Sequence, residues 1–115
     1  MEYSDSLKKN NEFQRVYRKG TSQANRYLVM YVLENHDRHM ENRLGISVSK
    51  KVGNSVERNR ARRLMKENYR IWKGEIKEGY DMIFIARSTI NGQKAFDVGK
   101  SMKRALHKAK MFQKR

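Results

Sequence analysis

Residues 50–70 hold eight basic and two acidic side chains, and their order restricts the fold more than any other segment does. On a helix turning about 100° per residue, Arg58, Asn59, Arg62, Arg63, Lys66 and Arg70 share an arc of about 140°. Arg60 sits at its border, while Ala61, Leu64, Met65, Ile71 and Trp72 occupy the opposite side. Cations at i, i+4 spacing destabilise an isolated helix by a few tenths of a kcal/mol per pair. A helix running from beyond Gly53-Asn54-Ser55 to about Lys73 therefore needs a second layer to bury its apolar side, and a polyanion to face its cations. Ahead of it, Lys50, Lys51 and the turn Gly53-Asn54-Ser55 add cations beside a helix N-terminus, where free N–H groups also favour an anion.

The second layer is legible in the flanking segments. Tyr27–Leu33 is β-branched and aromatic between polar stretches, and Arg43–Ser49 alternates strictly, with Leu44, Ile46 and Val48 on one face. Tyr80–Arg87 reads as a third strand, followed by a turn at Asn91-Gly92. A first helix is expected from about Asn11 to Arg18, capped by Asn10 or Asn11 and stopped by Gly20. A last helix is expected from about Asp97 to Phe112, with Val98, Met102, Ala105, Leu106, Ala109 and Phe112 as its apolar stripe. The result is a single α+β domain over residues 1–115, an α-β-β-α-β-α sandwich with frayed ends at 1–6 and 113–115.

Composition narrows the function. The 115 residues carry 27 Lys+Arg against 12 Asp+Glu, a formal net charge of +15, which favours a nucleic-acid partner. A mean hydropathy of -1.00 and the lack of any long apolar run exclude a membrane span. An interfacial membrane role is disfavoured too, because the helix's apolar side is committed to the sheet. The amino terminus shows no signal or import pattern, so the expected location is the cytoplasm. With no cysteine, disulfides, thiolate nucleophiles and cysteine-based zinc sites are excluded.

Aromatic residues form a second constellation. Phe13 and Tyr17 share a face of the first helix, and Tyr31 lies on the same side of its strand as Tyr27 and Val29. Packed near Ser47 and Ser49, they would line a groove able to stack on single-stranded bases, although aromatics at this spacing equally suit a core. The histidines offer no catalytic partner: His36 and His39 lie in an acidic turn with Asp37 and Glu41, which reads as a solvated loop before a metal site, and His107 reads as a surface helix residue. Glu57 and Glu67 flank the basic arc and support the helix.

The string KKVGNSVERNRARRLMKENY at 50–69 resembles the signature of the bacterial ribonuclease P protein subunit. Residues 7–33, RLGISVSKK at 43–51 and YDMIFIAR at 80–87 are similar to the rest of that family's pattern. The resemblance implies a ribosomal-protein-S5-domain-2-like sandwich, with helices on a small mixed sheet and a βαβ crossover. It implies pairing with a catalytic RNA that removes the 5′ leader of precursor tRNA in a magnesium-dependent reaction, the Mg2+ being bound mainly by RNA, with no organic cofactor. By position, Arg58, Asn59, Arg60, Arg62 and Arg63 match the motif that contacts the catalytic RNA, with Lys66 standing where the family often has Arg. Ser55 and Arg62 replace a usual Ala and a common Lys. Phe13, Tyr17 and Tyr31 match the leader cleft, and Ser47, Ser49, Lys50 and Lys51 its edge.

No residue of the protein is assigned to catalysis or metal binding, and neither a membrane nor an obligate protein partner is expected. An rRNA-binding ribosomal protein would share the size and charge but has no need of a single-strand cleft. A small DNA-binding protein would prefer duplex DNA, yet no helix stands a short turn before the basic one as a helix-turn-helix requires.

Overall fold

The computed structural model describes residues 6–35 and 41–113. In chain order the elements are α1 (Asn10–Lys19), β1 (Thr21–Ala24), β2 (Leu28–Glu34), β3 (Arg43–Ser47), α2 (Ser55–Trp72), β4 (Tyr80–Ala86) and α3 (Ala95–Lys108). Short 3-10 turns at Lys50–Val52, Lys73–Glu75 and Ser88–Ile90 connect them.

The fold is the expected α+β arrangement with one strand more. The four strands lie in the order β1-β2-β4-β3. β1 and β4 pair antiparallel with β2, and β3 pairs parallel with β4, so α2 is the helix of a βαβ crossover. β1 is the polar stretch that reads as a boundary in the sequence. It is almost wholly exposed and joins β2 through backbone pairing from Thr21↔Val32 to Ala24↔Val29.

Period-two alternation sends Leu28, Met30 and Val32 of β2, and Met82, Phe84 and Ala86 of β4, to one face. There α2 contributes Ala61, Leu64 and Met65, and α3 contributes Val98, Met102, Ala105 and Leu106. The opposite face carries a smaller cluster of Leu7, Val16 and Ile83 beneath α1. Tyr27 departs from the expected alternation: it precedes β2 and packs against the larger core.

Two helix ends and one helix face differ from the sequence expectations. Lys9, not an asparagine, is the N-cap of α1, and the Glu12 carboxylate turns back to accept from the Lys8 and Lys9 N–H groups. α3 ends at Lys108 because Lys110 adopts a left-handed φ of 59°. The Lys110 N–H then donates to the His107 carbonyl and the Met111 N–H to that of Leu106, a Schellman closure made without glycine. In α2, Ile71 is 64% exposed, whereas Tyr69 is buried against Phe84 with ring centroids 6.3 Å apart. Ser6 and Gln113, expected in frayed ends, are tied down: Ser6 bridges to Leu44, and the Gln113 N–H donates to the Glu75 carbonyl. His36 and His39 lie outside the described residues.

Candidate nucleic-acid interface

Two surfaces hold the residues singled out by sequence, and a short turn joins them. The first is the outer side of α2. Its start is fixed by a reciprocal cap: Asn54 Oδ1 accepts from the Glu57 N–H, and Glu57 Oε1 accepts from the Asn54 N–H, each at 2.9 Å. The folded-back carboxylate occupies the space a side chain at position 53 would fill, and Gly53 has a φ of 152°, so glycine is required there.

Beyond the cap the cations divide by what they hold. Arg58 donates to the Gly53 carbonyl at 2.7 Å and to Ser55 Oγ at 3.3 Å, bracing the entry of the helix. Arg60 reaches sideways to the Gln93 carbonyl at 2.5 Å, and Arg62 donates to Asn59 Oδ1 at 2.8 Å. Each of these guanidiniums keeps further N–H donors for a ligand. Arg63, Lys66 and Arg70 are exposed and make no hydrogen bond or ion pair with any described residue. Lys66, Arg70 and Lys73 also border a hollow of about 240 Å3 with Ser6, Leu44 and Tyr69, at the outer edge of β3 where Ser6 bridges to Leu44. Arg70 and Lys73 thus join the site by geometry; Arg70 lies on the arc that the helix wheel marks out.

The second surface lies where α1 crosses the sheet. Phe13, Tyr17 and Tyr31 are brought together: the first pair has ring centroids 6.3 Å apart and the second 5.1 Å, edge to face. All three are half-buried and pack on the smaller cluster, so they serve both as core and as surface. Gly45 makes this possible, because a Cβ there would lie 2.7 Å from Cζ of Phe13. The Ser47 side chain hydrogen-bonds the Tyr17 phenol, whose pKa burial nonetheless raises.

Ser49 Oγ accepts from the Lys51 N–H at 3.3 Å and starts the turn that carries Lys50 and Lys51, both exposed, toward α2. Val52 anchors the turn in the core, and Asn91 donates to the Val52 carbonyl. The turn therefore continues the aromatic surface into the cationic helix.

Sequence reasoning missed what holds α1 in place. Asp81, 1% exposed, accepts from Arg43 Nε at 3.0 Å and Nη2 at 2.8 Å, and from Asn35 Nδ2 on both oxygens. Arg43 also donates to Glu12 at 2.7 Å, and Arg15 stands 3.9 Å from Asp81. Backbone N–H groups of Lys9 and Lys8, with Arg43, hold the Glu12 carboxyl down at about 2 against the opposing effect of burial. The Asp81 pair in turn raises the pKa of Arg43. No periodic pattern links residues 12, 35, 43 and 81 in a sequence.

The arginines and lysines here offer Mg2+ no oxygen ligand. Among the described residues no group of three or more His, Asp or Glu is placed to hold a metal, and no helix is long and apolar enough to cross a membrane.

Comparison with known proteins gives this arrangement a family. The family model for ribonuclease P matches residues 1–110. The ribonuclease P protein component of Clostridium perfringens strain 13 is 53% identical over 109 residues, covering 90% of this chain and 87% of that one. The corresponding protein of Clostridium acetobutylicum is 50% identical over 103 residues, with the same coverage. Among solved structures, the Staphylococcus aureus RNase P protein superposes with a TM-score of 0.88 at 40% identity, covering 96% of this chain and all of that one. The Thermotoga maritima RNase P protein gives 0.77 at 27% identity, covering 86% and 92%. The aromatic face, the turn and the cationic helix thus sit on a backbone and a sequence shared with these proteins, and the chain belongs to the ribonuclease P protein family.

Proposed function

We propose that this chain is the protein subunit of ribonuclease P in the cytoplasm, where it assists an RNA-catalysed removal of the 5′ leader from precursor tRNA. Arg58, Asn59, Arg60, Arg62, Arg63 and Lys66 contact the catalytic RNA, and Phe13, Tyr17 and Tyr31, with Ser47, Ser49, Lys50 and Lys51, hold the single-stranded leader. The observation that carries this reading is the joining of the two surfaces at the 49–53 turn: on one side the cations of α2, of which Arg63, Lys66 and Arg70 bond to no described residue, and on the other half-buried aromatics. Phosphates suit the first, and unpaired bases stack on the second.

The protein's part is binding. Its cations lower the cost of bringing two polyanions together, and its aromatics fix the register of the leader relative to the RNA. Magnesium, on this reading, belongs to oxygens of the RNA, and no proton transfer is assigned to a side chain of the protein.

Leader removal from a precursor tRNA by a bacterial ribonuclease P RNA, measured at low magnesium with and without the protein, tests this. Stimulation is expected. About six phosphate contacts would also make RNA affinity fall roughly a thousandfold for a fourfold rise in salt. No stimulation, with salt-dependent binding to other structured RNA retained, would turn the reading toward an rRNA-binding protein.

A further inference from the structure

The last helix carries a surface that this reading leaves unused. α2 and α3 run side by side in the same direction, with Arg60 reaching Gln93, Asn68 donating to the Ala95 carbonyl, and Trp72 beneath Lys103. Along this seam opens a groove of about 540 Å3 lined by Ile71, Trp72, Phe96, Lys100 and Lys103, with Asn68 and Gly99 in its floor. Ile71 is 64% and Phe96 73% exposed, two of only three large apolar side chains so exposed among the described residues. With the half-buried Trp72 they line one continuous groove, and a contiguous exposed apolar patch of this kind marks a contact surface.

The charges around the groove say what kind of contact. Lys100 Nζ lies 5.4 Å from the centre of the Phe96 ring, and Lys103 Nζ 5.0 Å from that of Trp72. No acid lines the groove. On the other side of Lys100, Arg104 and Arg26 border a second hollow of about 340 Å3, with Asp97 as its one acid. A second copy of the chain would bring the same lysines face to face on a body of net charge +15, which opposes pairing through this groove. A nucleotide meets both requirements, since its base stacks on an aromatic face while its flanking phosphates meet the ammonium groups.

We propose that the α2–α3 groove takes an unpaired nucleotide of the catalytic RNA, the base against Phe96 and the adjacent phosphates on Lys100 and Lys103. This rests on the assignment of α2 to the catalytic RNA. The groove opens along the helix that carries Arg63 and Arg70, whereas the aromatic surface of α1 lies across the sheet. One RNA can therefore occupy the groove and the cations of α2 together.

Three proteins, wild type, Phe96→Ala and the double variant Lys100→Gln/Lys103→Gln, are titrated with a bacterial ribonuclease P RNA over a range of salt, and separately sedimented without RNA. Phe96→Ala is expected to weaken affinity at least about fivefold with the salt slope unchanged, because a base contact releases no counterion. The double variant is expected to lower the slope by about two. Wild-type affinity and slope in both variants overturn the groove proposal while leaving the cations of α2 untouched. Wild-type RNA affinity in Phe96→Ala, with a dimer that becomes a monomer, also overturns it and assigns the groove to a second copy. If the wild-type protein itself does not bind this RNA, the assignment of α2 fails first, and the groove proposal with it.

Discussion

The two faces of the sheet are covered by different means. On one, α2 and α3 bury a continuous apolar cluster that includes Leu28, Met30, Met65, Phe84, Met102 and Leu106. On the other, the ten-residue α1 closes a smaller cluster whose buried members are Leu7, Val16 and Ile83, and it is moored by the chain Glu12–Arg43–Asp81–Asn35. The difference decides what the exposed side chains are free to do. Among the cations of α2, Arg63, Lys66 and Arg70 bond to no described residue, so they are free for a ligand. Phe13, Tyr17 and Tyr31 are part of a thin core, and a ligand there would meet side chains that also hold α1 down.

The contrast breaks most readily at Asp81. Asp81→Asn leaves the largely buried Arg43 guanidinium with the Glu12 carboxylate but without its most buried partner, and losing one partner of a buried pair costs about 3 kcal/mol. For a chain of this length that corresponds to a fall in Tm of roughly 15 °C by calorimetry. A loss below about 1 kcal/mol would mean that aromatic packing alone seats α1, and the two faces would then be alike.

Tyr31→Ala sharpens the contrast. A binding residue with no structural role would lose only precursor affinity. Here the ring packs edge to face on Tyr17 and onto the smaller cluster, so the substitution is expected to cost about 2 kcal/mol of stability as well as roughly 1–3 kcal/mol of precursor binding. Urea unfolding and precursor titration with the assembled enzyme read the two losses separately. An unchanged urea midpoint would free Tyr31 of its packing role.

Acid tests the mooring with a smaller effect. The Glu12 carboxyl is held at about 2 in the folded chain against 4.5 for the ordinary side chain, so its contribution is complete above pH 4.5 and disappears as pH falls toward 2. The stability gap between wild type and Glu12→Gln is expected to be about 1–2 kcal/mol at pH 6 and to close as pH falls from 5 to 2. A gap that persists at pH 2 would show that Glu12 acts through packing and not through its charge.

How much of this is legible in the sequence depends on whether the interaction repeats. α2 announces itself because its cations and apolar residues recur at helical spacing, and Leu28, Met30 and Val32 because they alternate. Even so, the helix wheel mislays Ile71 and does not single out Tyr69. An ideal wheel treats the burying side as set by α2 alone, whereas Phe84 draws Tyr69 inward among the cations and the groove beside α3 leaves Ile71 uncovered. β1 has no apolar pattern and joins the sheet through backbone pairing with β2. The Asp81 mooring joins residues far apart in sequence through single contacts, which leave no periodic trace.

Arg63 offers the smallest effect and the cleanest separation of the two faces. Its side chain is exposed and bonds to no described residue, so Arg63→Ala is expected to leave stability within about 0.5 kcal/mol of wild type. Affinity for the catalytic RNA should fall by about 1 kcal/mol, and the salt slope by about one, which a loss of packing would not produce. The same substitution should leave leader binding by the assembled enzyme unchanged once holoenzyme is saturated, because no aromatic contact has moved. If precursor affinity fell instead, with the slope for the catalytic RNA intact, Arg63 would belong to the leader's path, and the division between cationic helix and aromatic face would have to be redrawn through the turn at 49–53.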